Sequence, residues 1–167
     1  HMNWPSRMTR TFDFATFSRV NKPNKEYDNQ VGAIGDFFND AIAYSKLATK
    51  EYNLKLEAMQ GLFTGEKTLM VSSNRPKEIV DAVKMAQAKG VSKIVVISGT
   101  GSLHVKEFLA DNKIPVIVQS VHNLPDYADM DIDLPYRLPA ELHAAGVKVA
   151  LSESSGTMSA RNLPFYA

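Results

Sequence analysis

The sequence predicts an α/β chain built on a parallel sheet of about four strands with flanking helices, preceded by two helices. Three observations predict it. Four short apolar runs, "TLMVS", "KIVVIS", "PVIVQ" and "KVALS", recur from residue 68 onward. Helical segments at 76–89, 103–111 and 137–145 separate them, each with apolar residues at three- and four-residue steps. The intervening loops are short, so the alternation builds a parallel sheet through right-handed crossovers. Such a sheet is either half of a TIM-like barrel or a three-layer α/β unit.

The elements run in chain order from an irregular start. Residues 1–25, including "MNWPSRMTRTFDFATFSRVNKPN", lack periodicity and read as an irregular arm, with His1-Met2 as a cloning remnant. Residues 26–167 read as a single α/β domain, a fragment of a larger protein. Tyr27, Val31, Ile34, Phe38, Ala41 and Ser45 recur at helical spacing, with Phe37 and Ile42 widening the stripe, and predict a long amphipathic helix over 26–48. Leu54, Ala58 and Leu62 predict a second helix, closed by Gly65. Pro76 opens the next helix where its missing N–H costs nothing, and Gly90 and Gly146 close helices. The middle strands are apolar on both faces, the pattern of strands covered on both sides.

Composition excludes several classes of function. The chain has 167 residues, 44% hydrophobic and 22% charged, with a formal net charge of +1. That balance suits one globular domain and gives no overall attraction to nucleic acid or an anionic membrane. Cys is absent, which excludes disulfides and thiolate metal sites.

In a parallel α/β sheet the site lies at the carboxyl ends of the strands. Those ends carry Ser72-Ser73-Asn74, Ser98-Gly99-Thr100-Gly101-Ser102, Gln119-Ser120-Val121-His122 and Ser152-Glu153-Ser154-Ser155-Gly156. Hydroxyls dominate and strong bases are scarce. Ser72, Asn74, Ser98, Thr100, Gln119 and Ser154 are the expected pocket residues. "GTGS" could present backbone N–H groups to a phosphate, but a dinucleotide fingerprint would need glycine at His104 and an acid at Gln119. "DYADMDIDLP" suggests calcium, yet a loop starting at Asp129 has Leu134 where it needs Gly and Ala140 where it needs Glu. An acidic solvated loop is the better reading. A G-x-S-x-G elbow around Ser154 fails because Ser152 stands at its first glycine. Glu153 is the best general-base candidate, and His122, alone among the histidines, has a strand-end address.

The strand-helix series, together with "AGVKVALS" and "ARNLPFYA", resembles the imidazolonepropionase-related branch of the metal-dependent amidohydrolase superfamily, closest to a divergent bacterial group. "NLKLEAMQGLFTGEKTLMV" resembles that group's approach to its fifth barrel strand, and "RNLPF" is the distinctive motif. The resemblance implies a (β/α)8 barrel with one or two divalent metals such as zinc, of which the four strands here are the fifth to eighth. It implies ligands from an H-x-H pair, absent from this sequence, from a histidine falling on Ser72, from a histidine ending the sixth strand, where Ser98 and Gly99 stand, and from an aspartate falling on Ser154. Serine hydroxyls are poor ligands beside imidazole and carboxylate.

The sequence therefore points to an amidohydrolase-like fragment with a degenerate metal site, non-catalytic alone and without a metal of its own, with a small-molecule or peptide ligand as its expected partner. Two alternatives stand beside it: part of an active hydrolase of amide or peptide bonds, and a nucleotide-binding domain using "GTGS". The rest of the parent barrel is expected to lie outside the chain. The long helix is expected to fold across the inner face of the sheet, and a homodimer of paired half-barrels is the alternative.

Overall fold

The computed structural model describes the chain except residues 16, 48, 50, 120, 123, 125–128, 154–160, 166 and 167. Strand β1 (Met2–Asn3) comes first, then a hairpin of β2 (Met8–Asp13) and β3 (Ser18–Pro23). Helices α1 (Tyr27–Ser45) and α2 (Leu54–Phe63) come next. The chain then alternates through β4 (Leu69–Ser72), α3 (Pro76–Ala88), β5 (Ile94–Ser98), α4 (Lys106–Asp111), β6 (Val116–Gln119), α5 (Leu134–Ala144) and β7 (Val149–Ser152). A 3-10 turn, Thr100–Val105, leads into α4.

The sheet has five strands in the order β1-β4-β5-β6-β7, and every adjacent pair is parallel. The fold class is thus α/β with a parallel sheet and flanking helices, consistent with a partial TIM-like unit. The fifth strand comes from the segment that the sequence reads as an irregular arm. Met2 pairs with Val71, Asn3 with Ser72, and the Trp4 N–H donates to the Ser72 carbonyl at 3.0 Å. Two residues are too few to display a period of two. The hairpin was hidden for a different reason: Arg10 interrupts the spacing of Met8 and Phe12 in "MTRTFD", and "SRVNKP" sets Val20 among polar residues, so no sustained alternation marks them.

Local chemistry explains the helix ends. Asn53 caps α2, its side chain accepting from the N–H groups of Lys55 and Leu56. Pro76 occupies the first turn of α3. Gly65, Gly90 and Gly146 have φ of 76°, 82° and 88°, the left-handed conformation that ends a helix at little cost to glycine alone.

One apolar core joins the sheet to all five helices. Leu69, Val71, Ile94, Val96, Val116 and Val118 pack with Phe38, Leu62, Ile79, Val83, Leu109, Leu138 and Leu142. The alternate residues on the same strands have another fate. Met70 is 41% exposed, Ala150 is exposed, and Val95, Ile97 and Ile117 are half-buried. Register aligns Ser72, Ile97, Ile117 and Ala150 in one row across this second face.

Two expectations are corrected by this packing. The long helix does not cross the inner face: Phe38 of α1 packs into the same core as Leu69, on the side that α3 also covers. The three-layer alternative therefore gives way to the half-barrel arrangement. Nor are the strands equally covered on both sides, since Met70 and Ala150 are exposed and Val95, Ile97 and Ile117 are half-buried where the alternate residues Val71, Val96 and Val116 are buried. Apolar runs suit a barrel's interior as well as a second helical layer, and sequence pattern does not separate the two.

This bare face predicts that the chain binds a hydrophobic dye. Met70→Lys with Ile117→Lys should lower the dye fluorescence while leaving the circular dichroism unchanged. Equal fluorescence in the double variant would mean that the face is covered.

Candidate functional site

The carboxyl ends of the strands form a rim on which two side chains knot the loops together. The first is Glu78, in the first turn of α3, where a carboxylate complements the helix dipole. It is 3% exposed. Its Oε1 accepts from Ser6 Oγ at 3.1 Å and from the Arg7 backbone N–H at 2.7 Å, and its Oε2 accepts from Ser73 Oγ at 3.3 Å. Arg75 Nε lies 3.7 Å away. A buried charge needs such partners to be tolerated. The result ties the segment after β1 to the loop after β4.

The same segment is braced beside Glu78. Trp4 Nε1 donates to Tyr27 Oη at 3.1 Å in the buried interior. The Arg7 guanidinium lies 4.3 Å over the Tyr27 ring and donates to Asp81 at 2.8 Å. That hydrogen bond with Asp81 is the main cause that holds the Arg7 guanidinium above its ordinary range.

Asn74 makes the second knot. Its Oδ1 accepts from the Gly99 N–H at 2.8 Å, the Gly101 N–H at 3.4 Å and Ser98 Oγ at 3.3 Å. Ser102, fully buried, donates from Oγ to the Gly99 carbonyl at 2.7 Å. The loop fits so closely that a Cβ at Gly101 would overlap the Asn74 carbonyl oxygen. Two of the "GTGS" amides that a phosphate would need, those of Gly99 and Gly101, are therefore spent on Asn74, and that of Ser102 donates to the Gly99 carbonyl at 3.1 Å. The loop then continues as a short 3-10 turn rather than as the start of a long helix.

The structure separates the expected pocket residues by face. Ser72 and Gln119 share the bare face with Met70 and Ile117, and Gln119 is the register partner of Ser152. Ser72 Oγ shares a hydrogen bond of 2.8 Å with His1 Nε2. Ser98, by contrast, has the parity of Val96 and is buried on the helix side, held by Asn74. Thr100 opens the 3-10 turn. Glu153, the residue after β7, is half-buried. His122 is exposed, its ring edge-on to Tyr136 at 5.2 Å between centroids. Ser154 lies outside the described residues, as does Asp126 of the acidic loop. In that loop Asp131 and Asp133 pair with Arg137 at 3.2 and 3.3 Å.

Among the described residues no three of His, Cys, Asp or Glu gather where they could hold an ion. The metal that the resemblance implies fits these residues poorly, since Ser72 offers a hydroxyl and Ser98 is turned away and bonded to Asn74. The apolar cavity of about 530 Å³, lined by Ile34, Phe37, Met59 and Leu69 among others, lies at the amino ends of β1 and β4. It is at the opposite rim from the strand-end residues.

No family model matches the chain, and no curated protein does. Among solved structures, the chain is similar to an amidohydrolase from Thermotoga maritima MSB8, at 25% identity and a TM-score of 0.65. The fold is amidohydrolase-like. The match covers 75% of this chain and 34% of that one, so the chain spans about a third of the length of that amidohydrolase.

Sequence reasoning missed Glu78 and the part played by Asn74. The available signal for Glu78 was an acid in the third position of a helix opened by Pro76, directly before the buried Ile79. Glu78→Ala should cost about 2 kcal/mol of stability, because it leaves several partly buried donors without their acceptor. Asn74→Ala should cost about 1 kcal/mol and should speed hydrogen exchange at the Gly99 and Gly101 amides. Unchanged exchange at both amides would mean that Asn74 does not hold the loop.

Proposed function

We propose that this chain is the later half of an amidohydrolase-like barrel, of the imidazolonepropionase-related branch, whose metal site is degenerate and which does not catalyse hydrolysis by itself. The single observation that carries this reading is Ser72. It ends β4 on the bare face, at the position where the resemblance requires a histidine ligand. A neutral hydroxyl binds a zinc-like ion weakly and does not lower the pKa of its water as a proper site does. "RNLPF", residues 161–165, supports the branch.

The rim suits binding better than bond cleavage. Ser72, Gln119 and Ser152 offer hydroxyl and amide groups along the bare face, all able both to donate and to accept. Such groups recognise the polar backbone of a peptide or a small amide without activating water. Amide hydrolysis needs an activated nucleophile and stabilisation of the oxyanion, and Asn74 already occupies the Gly99 and Gly101 amides that could have served the second role. A second reading, part of an active hydrolase, draws on Glu153. It stands one residue past β7, a general-base address at a strand end.

Metal analysis and amide turnover separate the two. The chain should carry substoichiometric zinc after gel filtration and should show no hydrolysis of dipeptides or cyclic imides. Stoichiometric zinc that is lost in His122→Ala would overturn the degenerate site. Turnover that disappears in Glu153→Gln would establish the second reading.

A further inference from the structure

The β2–β3 hairpin carries an apolar surface that neither the core nor the strand-end rim uses. Phe12, Phe14 and Phe17 are 46%, 78% and 80% exposed, and none belongs to the core. They contact one another instead: Phe12 meets the Phe14 ring at 5.1 Å and the Phe17 ring at 6.3 Å, both edge-on. Three phenylalanines in water at the tip of a hairpin cost solubility and add nothing to the packed interior.

The backbone adds an independent observation. Phe17 has φ of 46°, in the left-handed region, at the end of the turn that joins β2 to β3. Glycine or asparagine fits that conformation more cheaply, and a bulky residue there is an outlier. Strain retained at an exposed turn points to a use for the side chain.

Charge indicates what the surface meets. Residues 7–25 hold five cations, Arg7, Arg10, Arg19, Lys22 and Lys25, against the single acid Asp13. Arg7 is neutralised by Asp81 at the hairpin base, whereas Arg10, Lys22 and Lys25 are exposed. Asp13 is at the tip and accepts from the Ala15 N–H at 2.9 Å, so one opposing charge must be carried. The whole-chain charge of +1 hides this local asymmetry.

We propose that the hairpin is a peripheral docking element for an anionic lipid bilayer. The phenylalanine tip enters the boundary between headgroups and acyl chains, and the cations on the stem face the anionic headgroups. At about 3.3 Å per residue, Arg10 sits roughly 10 Å behind the turn, which matches a burial depth of about 5–10 Å for the tip. A bilayer fits better than a protein partner on grounds of area. Three side chains on a two-stranded tip are a small part of the ~800 Å² that each side of a standard protein interface buries. A few aromatic anchors with a basic patch suffice for interfacial attachment. No helix among the described residues is long and apolar enough to cross a membrane.

Vesicle sedimentation with the full chain tests the proposal. Vesicles of three parts phosphatidylcholine to one part phosphatidylglycerol should pull the chain down, and phosphatidylcholine alone should do so much less. Phe14→Ser with Phe17→Ser should weaken binding about tenfold or more. Arg10→Gln with Lys22→Gln should weaken it and flatten its salt dependence. Circular dichroism and the fluorescence of buried Trp4 verify that each variant folds. No sedimentation with anionic vesicles would overturn the proposal. So would binding indifferent to the phenylalanine changes, which would be charge alone. Self-association of the chain, abolished by those same changes while vesicles have no effect, would assign the tip to a second copy instead.

Discussion

The rest of the structure depends on one constraint: successive parallel strands are laid down in a single direction by crossovers of the same hand. Each crossover then places its helix on the same side of the sheet. In the order β1-β4-β5-β6-β7 no reversal occurs, so the helices share one face and one core. The two faces of each strand consequently meet different surroundings. Leu69 and Val71 are 4% and 1% exposed, whereas Met70, between them, is 41% exposed. A sheet that reversed direction would have covered both.

That constraint also decides which residues can share a ligand. Only side chains with the parity of Met70 and Ile117 look out from the bare face, and among the described residues those at its carboxyl end include Asn3, Ser72, Gln119 and Ser152. Ser98 has the other parity and is enlisted in holding the loops. Glu78 and Asn74 then fix the rim from behind, one by gathering the segment after β1, the other by filling the turn after β5. Among the described residues the rim is held by these hydrogen bonds. Its described groups on the bare face are hydroxyls and amides, which donate and accept hydrogen bonds.

Much of the frame was legible in the sequence because its signals were local. The strands at 69–72, 94–98, 116–119 and 149–152 lie within the apolar runs, and Pro76 and Gly90 bracket α3 as their backbone chemistry requires. The helix expected over 103–111 begins instead as a 3-10 turn at Thr100, because Asn74 and Ser102 tighten the loop there. What stayed hidden was non-local. β1 exists only because β4 offers an edge, and two residues carry no pattern. The bare face could not be read from "IVVI", which is apolar on both sides whatever covers it. The strand-end addresses of Ser72, Gln119 and Glu153 were readable from strand boundaries alone. The inward turn of Ser98 and the burial of Glu78 depended on partners distant in sequence.

A sheet with one helical face and one uncovered face should betray itself in methionine reactivity, the most direct check available. Met70 lies on the uncovered face, whereas Met59 and Met85 pack against the core. Brief treatment of the monomeric chain with dilute peroxide, followed by peptide mass spectrometry, reports the oxidation rate at each site. Met70 should become the sulfoxide well before Met59 and Met85. Protection of Met70 to the level of Met85 in a chain shown to be monomeric would contradict the uncovered face, because some part of the chain would then have to lie over it.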